Sequence, residues 1–215
     1  MEKLLSGEYA GATALSNAVK YLSDLEELNV RILEENGNYY LKGRLPWVTN
    51  ARRNRFLTIF VVGLADDPSK SYVVAVPSDA ENFSRSEDLE FVSLQGGNTA
   101  ALTFNKVPLK EEWILSKDAH QFLAQNRPAF LGYQFGLAFG LAERSLSEVE
   151  KELGKRGVLK EEWQHQVEQL GDIRNSLYQG LSEESYFVKN PRELFQLRID
   201  IVDVVAQSLL LELQA

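Results

Sequence analysis

The residues best suited to chemistry lie in the run Tyr39-Tyr-Leu-Lys-Gly-Arg-Leu-Pro-Trp-Val-Thr-Asn50. Within it, Trp47 offers a broad aromatic face and Thr49 a hydroxyl that can donate to a ring nitrogen, the pair of contacts a flat cofactor needs. The plain structural alternative is that Trp47 fills a β-core and Thr49 is an ordinary strand residue. Other constellations carry less. Glu162-Trp-Gln-His165 has the Glu-x-x-His spacing of a carboxylate-bridged di-iron helix. Such a centre needs a second copy, and His120 has Lys117 three residues before it, so a solvated helix face is expected and no metal. Two histidines and no cysteine leave no Ser-His-Asp or Cys-His nucleophile system, no disulfide and no Cys-based zinc site. Gly96-Gly97-Asn98 precedes no Gly-Lys helix start, so it reads as a turn and not a phosphate loop.

A second chemically suggestive stretch runs from Asn126 to Ala142, nearly uncharged apart from Arg127. Gly132, Gly136 and Gly140 recur every four residues, which puts three missing side chains on one helical face. Each costs about 1 kcal/mol of helix propensity relative to alanine, so a closely packed neighbour or ligand is the expected compensation. Pro128 suits the first turn of this helix, which is expected to be buried. With Gln134 inside it and charges flanking it, the run is too short for a membrane span of about 20 residues.

The elements that must position these groups fall into two halves. Up to about residue 115, short β-rich runs alternate with turn residues: Asn29–Glu35 and Asn38–Gly43 around Asn36-Gly37, then Phe56–Leu64, Ser71–Val76, Leu89–Ser93 and Ala100–Phe104. Asn-Gly between two such runs predicts a hairpin, and the spacing predicts a small antiparallel barrel or sandwich. From Ser116 the period changes to helical over Ser116–Leu153, Leu159–Leu181 and Pro191–Leu213, predicting an antiparallel bundle of three long helices. The fold class is therefore α+β, with domains 1–115 and 116–215. The last helix is apolar over much of its surface, which calls for partner chains.

The whole chain has 215 residues, 44% of them hydrophobic, and a net charge of −8. With no basic run, the acidic excess argues against nucleic acid. The start Met-Glu-Lys-Leu-Leu-Ser-Gly-Glu lacks the apolar core of a signal peptide, so a cytoplasmic protein is expected.

Taken in order, these landmarks resemble the acyl-CoA dehydrogenase family. Leu5–Ser16 is similar to the segment leading into the family's first flavin loop, although Ser16-Asn17-Ala18 stands where Thr-Glu-Pro is usual. Tyr39–Asn50 is similar to the family's Trp-Ile-Thr-Asn hairpin, Leu102–Pro108 to the exit from the β domain, and Arg127–Ala138 to the first helix of the bundle. The resemblance implies a middle β domain followed by a shortened helical domain, with the family's preceding helical domain absent before Met1. It also implies FAD as cofactor, held by Leu15, Ser16, Trp47 and Thr49, and acyl-CoA as substrate, touched by Ser23 and Arg127. A homo-oligomer, dimer or tetramer, or pairing with a complete dehydrogenase subunit follows too.

Departures from the family pattern bear on activity. Where some members carry the glutamate base just before the bundle's arginine, this sequence has Asn126, and a carboxamide cannot take a proton near neutral pH. Counting from Arg127, the family's pyrophosphate-binding arginine falls at Glu152 and the following phenylalanine at Lys155; Lys151, Lys155 or Arg156 would have to substitute. The expected function is an FAD-dependent acyl thioester oxidoreductase without an evident base. The alternative is a non-catalytic assembly subunit.

Overall fold

The computed structural model describes residues 2–155 and 157–215 and divides the chain into two compact units, Met1–Phe122 and Leu123–Ala215. Arg156 lies outside the described residues.

The first unit is built on one mixed sheet. Its strands are β1 (Ala10–Thr13), β2 (Val30–Glu35), β3 (Asn38–Val48), β4 (Phe56–Leu64), β5 (Ser71–Pro77), β6 (Phe83–Asp88), β7 (Ala100–Pro108) and β8 (Ile114–Ser116). Two short helices, α1 (Glu2–Leu5) and α2 (Ser16–Tyr21), flank β1. The strand order is β6-β7-β3-β2-β4-β5-β8, with β1 added on β4, so the sheet is open where a closed barrel was one of the expected forms. Its pairing is not wholly antiparallel either. Strand β4 pairs antiparallel with β5 along one edge, while its other edge is shared by two parallel partners: β1 from Ala10↔Phe56 to Thr13↔Ile59, and β2 at Arg31↔Gly63 and Ile32↔Leu64. Two partners can share that edge because β1 is short and the chain leaves it through α2 before returning as β2.

Local chemistry explains most of the boundaries. Asn36 and Gly37 both adopt positive φ, as a two-residue hairpin turn requires, and Glu35 pairs directly with Asn38. The strand expected at Leu89–Ser93 does not form; that segment is a loop exposing Phe91 and Val92, and the strand is instead the preceding polar run Phe83–Asp88. Partnership overrides propensity here, since β6 pairs with β7 and the Arg85 side chain on it is only 9% exposed. Phe56, Phe60, Phe83 and Phe104 form the aromatic centre of the core, with Phe60 and Phe104 centroids 4.8 Å apart and Phe83 edge-on to Phe104 at 5.3 Å. Full burial of one such ring contributes about 1.5–3 kcal/mol.

The second unit is helical: α3 (Ala119–Glu152), most of which lies in it, α4 (Lys160–Ser182), the single turn α5 (Tyr186–Lys189) and α6 (Pro191–Gln214). Trp163 Nε1 donates to the Leu146 carbonyl at 3.0 Å, Arg174 pairs with Glu143, and Leu181 reaches Gly132, so α4 runs antiparallel to α3. The core of the unit joins Phe135, Phe139, Ala142, Leu146 and Val149 to Leu170, Ile173 and Leu177, and to Leu194, Ile201, Val204 and Leu211. Pro191 opens α6 at a position where its missing N–H costs nothing.

Two expectations for α3 need correction. Pro128 lies inside the helix, because Asp118 caps an earlier start, its carboxylate accepting from the Gln121 N–H at 2.9 Å. Nor is the Asn126–Ala142 stretch buried throughout: Phe135, Phe139 and Ala142 face the core, while Tyr133, Leu137 and Leu141 are exposed. Of the three stacked glycines only Gly132 meets a neighbour, Leu181, while Gly136 and Gly140 face open space.

Candidate functional site

The Thr13–Thr49 contact positions four of the predicted residues. Thr13 N donates to the Thr49 carbonyl at 3.1 Å and Thr49 N to the Thr13 carbonyl at 3.2 Å, an isolated antiparallel bridge between the ends of β1 and β3. Asn50 Nδ2 adds a bond to the Gly11 carbonyl at 3.0 Å. The Leu15-Ser16 turn, which continues β1, is thereby set beside the Trp47-Val48-Thr49 segment.

The side chains on this edge are open. Trp47 is 58% exposed, with Phe91 tilted against it at 6.0 Å between centroids, so it does not fill the β-core. Thr49 is exposed, and its hydroxyl has no partner among the described residues. Val48, between them, is fully buried and anchors the segment. An exposed indole face next to an unengaged hydroxyl fits one face and one edge of a flat ring system.

Two polar groups without any motif brace the edge. Asn17, in α2, is 6% exposed; its Nδ2 donates to Glu26 Oε1 at 2.8 Å and to the Glu27 carbonyl at 2.9 Å, and its Oδ1 accepts from Asn29 N at 2.9 Å. It thereby ties the turn after β1 to the entry of β2. The hydrogen bond from Asn17, aided by Lys20, holds the Glu26 carboxyl below the ordinary glutamate value. Arg85 donates from Nε to the Ala51 carbonyl at 2.7 Å and pairs with Asp88, fixing the chain just beyond Asn50. Arg85 lies in no recognisable pattern and Asn17 only in the Ser16-Asn17-Ala18 departure, so their bracing role shows in their hydrogen bonds.

The other predicted residues sit as follows. Ser23 is exposed, its hydroxyl donating to the Val19 carbonyl at 3.0 Å as a cap on the turn after α2. Asn126 is an exposed carboxamide on α3. Arg127 belongs to the helical unit, where it lines a cleft with Pro128, Leu131, Leu194 and Arg198. Glu152 ends α3 with its carboxylate 3.0 Å from Lys155 Nζ, and Lys151 pairs with Glu148 at 2.6 Å. The charge reversal at Glu152 is therefore locally neutralised, and neither lysine is unengaged. Glu162 and His165 are both exposed on α4.

No family model matches the sequence. It is 32% identical over 113 residues to a mitochondrial isovaleryl-CoA dehydrogenase of Pongo abelii, covering 50% of this chain and 26% of that protein. It is 27% identical over 171 residues to a mitochondrial short/branched chain specific acyl-CoA dehydrogenase of Rattus norvegicus, covering 74% and 37%. Among solved structures, an FAD-dependent dehydrogenase superposes with a TM-score of 0.81 at 17% identity, covering 99% of this chain and 60% of that one. A glutaryl-coenzyme A dehydrogenase in complex with glutaryl-CoA superposes at 0.79 and 15% identity, covering 99% and 57%. The chain is similar to acyl-CoA dehydrogenases in sequence and in fold. This acyl-CoA dehydrogenase-like chain spans well under half the length of these curated relatives. Among its described residues no helix is long and apolar enough to cross a membrane.

Proposed function

We propose that this chain is an acyl-CoA dehydrogenase-like flavoprotein, with residues 1–115 as its middle β domain and 116–215 as its helical domain, that holds FAD against the edge formed by Leu15, Ser16, Trp47 and Thr49. The observation that carries this reading is the Thr13–Thr49 bridge, which sets the turn after β1 beside an exposed indole and an unengaged hydroxyl. In this arrangement Trp47 covers one face of the flavin, the Thr49 hydroxyl donates to a ring nitrogen, and the backbone at Leu15 and Ser16 borders the ring. FAD, when bound, supplies the capacity to accept a hydride from an acyl thioester. Ser23 and Arg127 are the residues assigned to acyl-CoA, and the compartment assigned is the cytoplasm, although the matched relatives carry mitochondrial names.

The deciding experiment is the visible absorbance of the purified protein before and after incubation with FAD and removal of free flavin. Retained flavin absorbance, with bleaching by branched short-chain acyl-CoA substrates, supports a flavoprotein oxidoreductase. A protein that stays colourless after incubation overturns the flavin reading for this chain.

A second reading, a non-catalytic assembly subunit, is favoured by Asn126. An exposed carboxamide stands where some relatives carry a base, and it has no useful proton affinity at neutral pH. On this reading the exposed Tyr133, Leu137 and Leu141 of α3, with Val202, Leu210 and Leu213 of α6, pack against another copy of this chain, as a dimer or tetramer, or against a complete dehydrogenase subunit. Sedimentation would give the oligomeric state. Retained flavin without substrate bleaching would favour this reading over the catalytic one.

A further inference from the structure

The helical unit contains a cleft of about 460 Å³, within the roughly 300–1,000 Å³ of small-molecule sites. Its two long walls are single helix faces. Ala124, Arg127, Pro128 and Leu131 of α3 follow i, i+3, i+4, i+7 spacing, and so do Pro191, Leu194, Phe195 and Arg198 of α6; Phe187 and Val188 of α5 complete it. Each wall contributes one arginine to an otherwise apolar lining, and no carboxylate lines the cleft. Among the described residues neither Arg127 nor Arg198 makes an ion pair. The one acidic residue in the first turn of α6, Glu193, is directed elsewhere and accepts a hydrogen bond from the Tyr186 hydroxyl at 2.6 Å.

On a chain of net charge −8, two unpaired guanidinium groups over an apolar trough make a local exception to the overall charge. The start of α6 at Pro191 adds the positive end of a helix dipole to the same cleft. An arginine has five donors in a planar fork that matches a carboxylate or phosphate, and two at one site oppose each other electrostatically until an anion joins them.

We propose that this cleft is a binding site for a small amphipathic anion: an apolar tail against Leu131, Phe187, Leu194 and Phe195, and a carboxylate or phosphate head held by Arg127 and Arg198. The site lies wholly within the helical unit and needs no bound flavin, though it shares Arg127 with the acyl-CoA assignment proposed above.

The test is isothermal titration of the full chain, without added FAD, with decanoate, decyl phosphate and decanol below their aggregation limits. Saturable binding of decanoate or decyl phosphate, at least tenfold tighter than decanol, is expected, and the tighter of the two heads identifies the anion. Arg127→Gln and Arg198→Gln should each weaken it severalfold, and the double variant at least tenfold, with thermal midpoints unchanged. Equal binding of decanol, equal binding by the folded double variant, or no saturable binding by the parent chain would overturn the proposal. Should the double variant not fold, Arg198→Lys supplies the second measurement: it keeps the charge but loses the fork, so a severalfold loss is expected, and unaltered affinity would count against the site.

Discussion

Thr13 and Thr49 exchange both of their backbone hydrogen bonds while their neighbours along the strands do not pair with each other. The bridge is made by main chain alone, which leaves the Thr49 side chain unused by the fold. Thr49→Val should therefore change stability by no more than about 0.5 kcal/mol, as at other exposed positions. Loss of one hydroxyl donor should lower FAD affinity about 3- to 10-fold. Flavin titration followed by absorbance, beside a thermal melt, checks both; a fall in melting temperature matching the loss of flavin would show a structural role instead.

Asn17 makes three hydrogen bonds from a nearly buried position, so Asn17→Ala strands the Asn29 N–H and loosens the Glu26–Asn29 segment. The expected cost is about 2–3 kcal/mol, read from urea unfolding.

The same contact makes stability pH-dependent. Glu26 has its folded pKa depressed, chiefly by the Asn17 hydrogen bond. Its contribution is complete above the unfolded glutamate value of about 4.3 and is lost as pH falls through the lower folded value. Melting temperatures of the parent chain and Glu26→Gln should differ at pH 7 and converge only once the pH has fallen below the lowered folded value. A difference that persists unaltered at the acid end would refute this linkage.

Gly43 sits in β3 at φ 144°, where a Cβ would overlap the Asn29 carbonyl oxygen and come within 2.8 Å of Val30 Cα. Both neighbours are backbone of the paired strand, so neither yields cheaply. Gly43→Ala should cost more than about 3 kcal/mol or abolish folding of the sheet unit. Circular dichroism and proteolysis would report it.

Gly180 in α4 lies directly beneath the Phe187 ring, leaving no room for a methyl group. Gly180→Ala gains up to about 1 kcal/mol of helix propensity and loses more by displacing a buried aromatic, for a net destabilisation of about 1–3 kcal/mol. Because Phe187 lines the arginine cleft, decanoate affinity in that variant should fall as well.

Much of the architecture was written in local pattern. Asn36-Gly37 declares its hairpin because only residues tolerant of positive φ suit both turn positions, and the three helical periods predict the long helices closely. What escaped depended on distant partners. Nothing in Phe83–Asp88 announces a strand, since its pairing is provided by β7 and its largely covered Arg85 is held by Asp88 and the Ala51 carbonyl. The parallel edge of β4 was hidden for the same reason: periodicity reveals which face of a strand is apolar and is silent about the direction of its neighbour. At the candidate site, Trp47 and Thr49 were visible through their motif, whereas Asn17 and Arg85, which brace it, were not. The Asn126–Ala142 stretch showed its glycine stripe correctly but not the absence of a close neighbour at Gly136 and Gly140.

The short parallel pairing of β1 with β4 also acts as a clock for the candidate cofactor edge. Ala10 and Ala12 face the core in that register, while Gly11 and Thr13 point away. Sliding β1 by one residue would exchange the two faces, drive Thr13 into the core and carry Leu15 and Ser16 out of phase with Trp47 and Thr49. The alignment of two candidate cofactor segments is thus enforced by two buried methyl groups, so selection on core packing alone would preserve the geometry of the edge even in a descendant that no longer uses it.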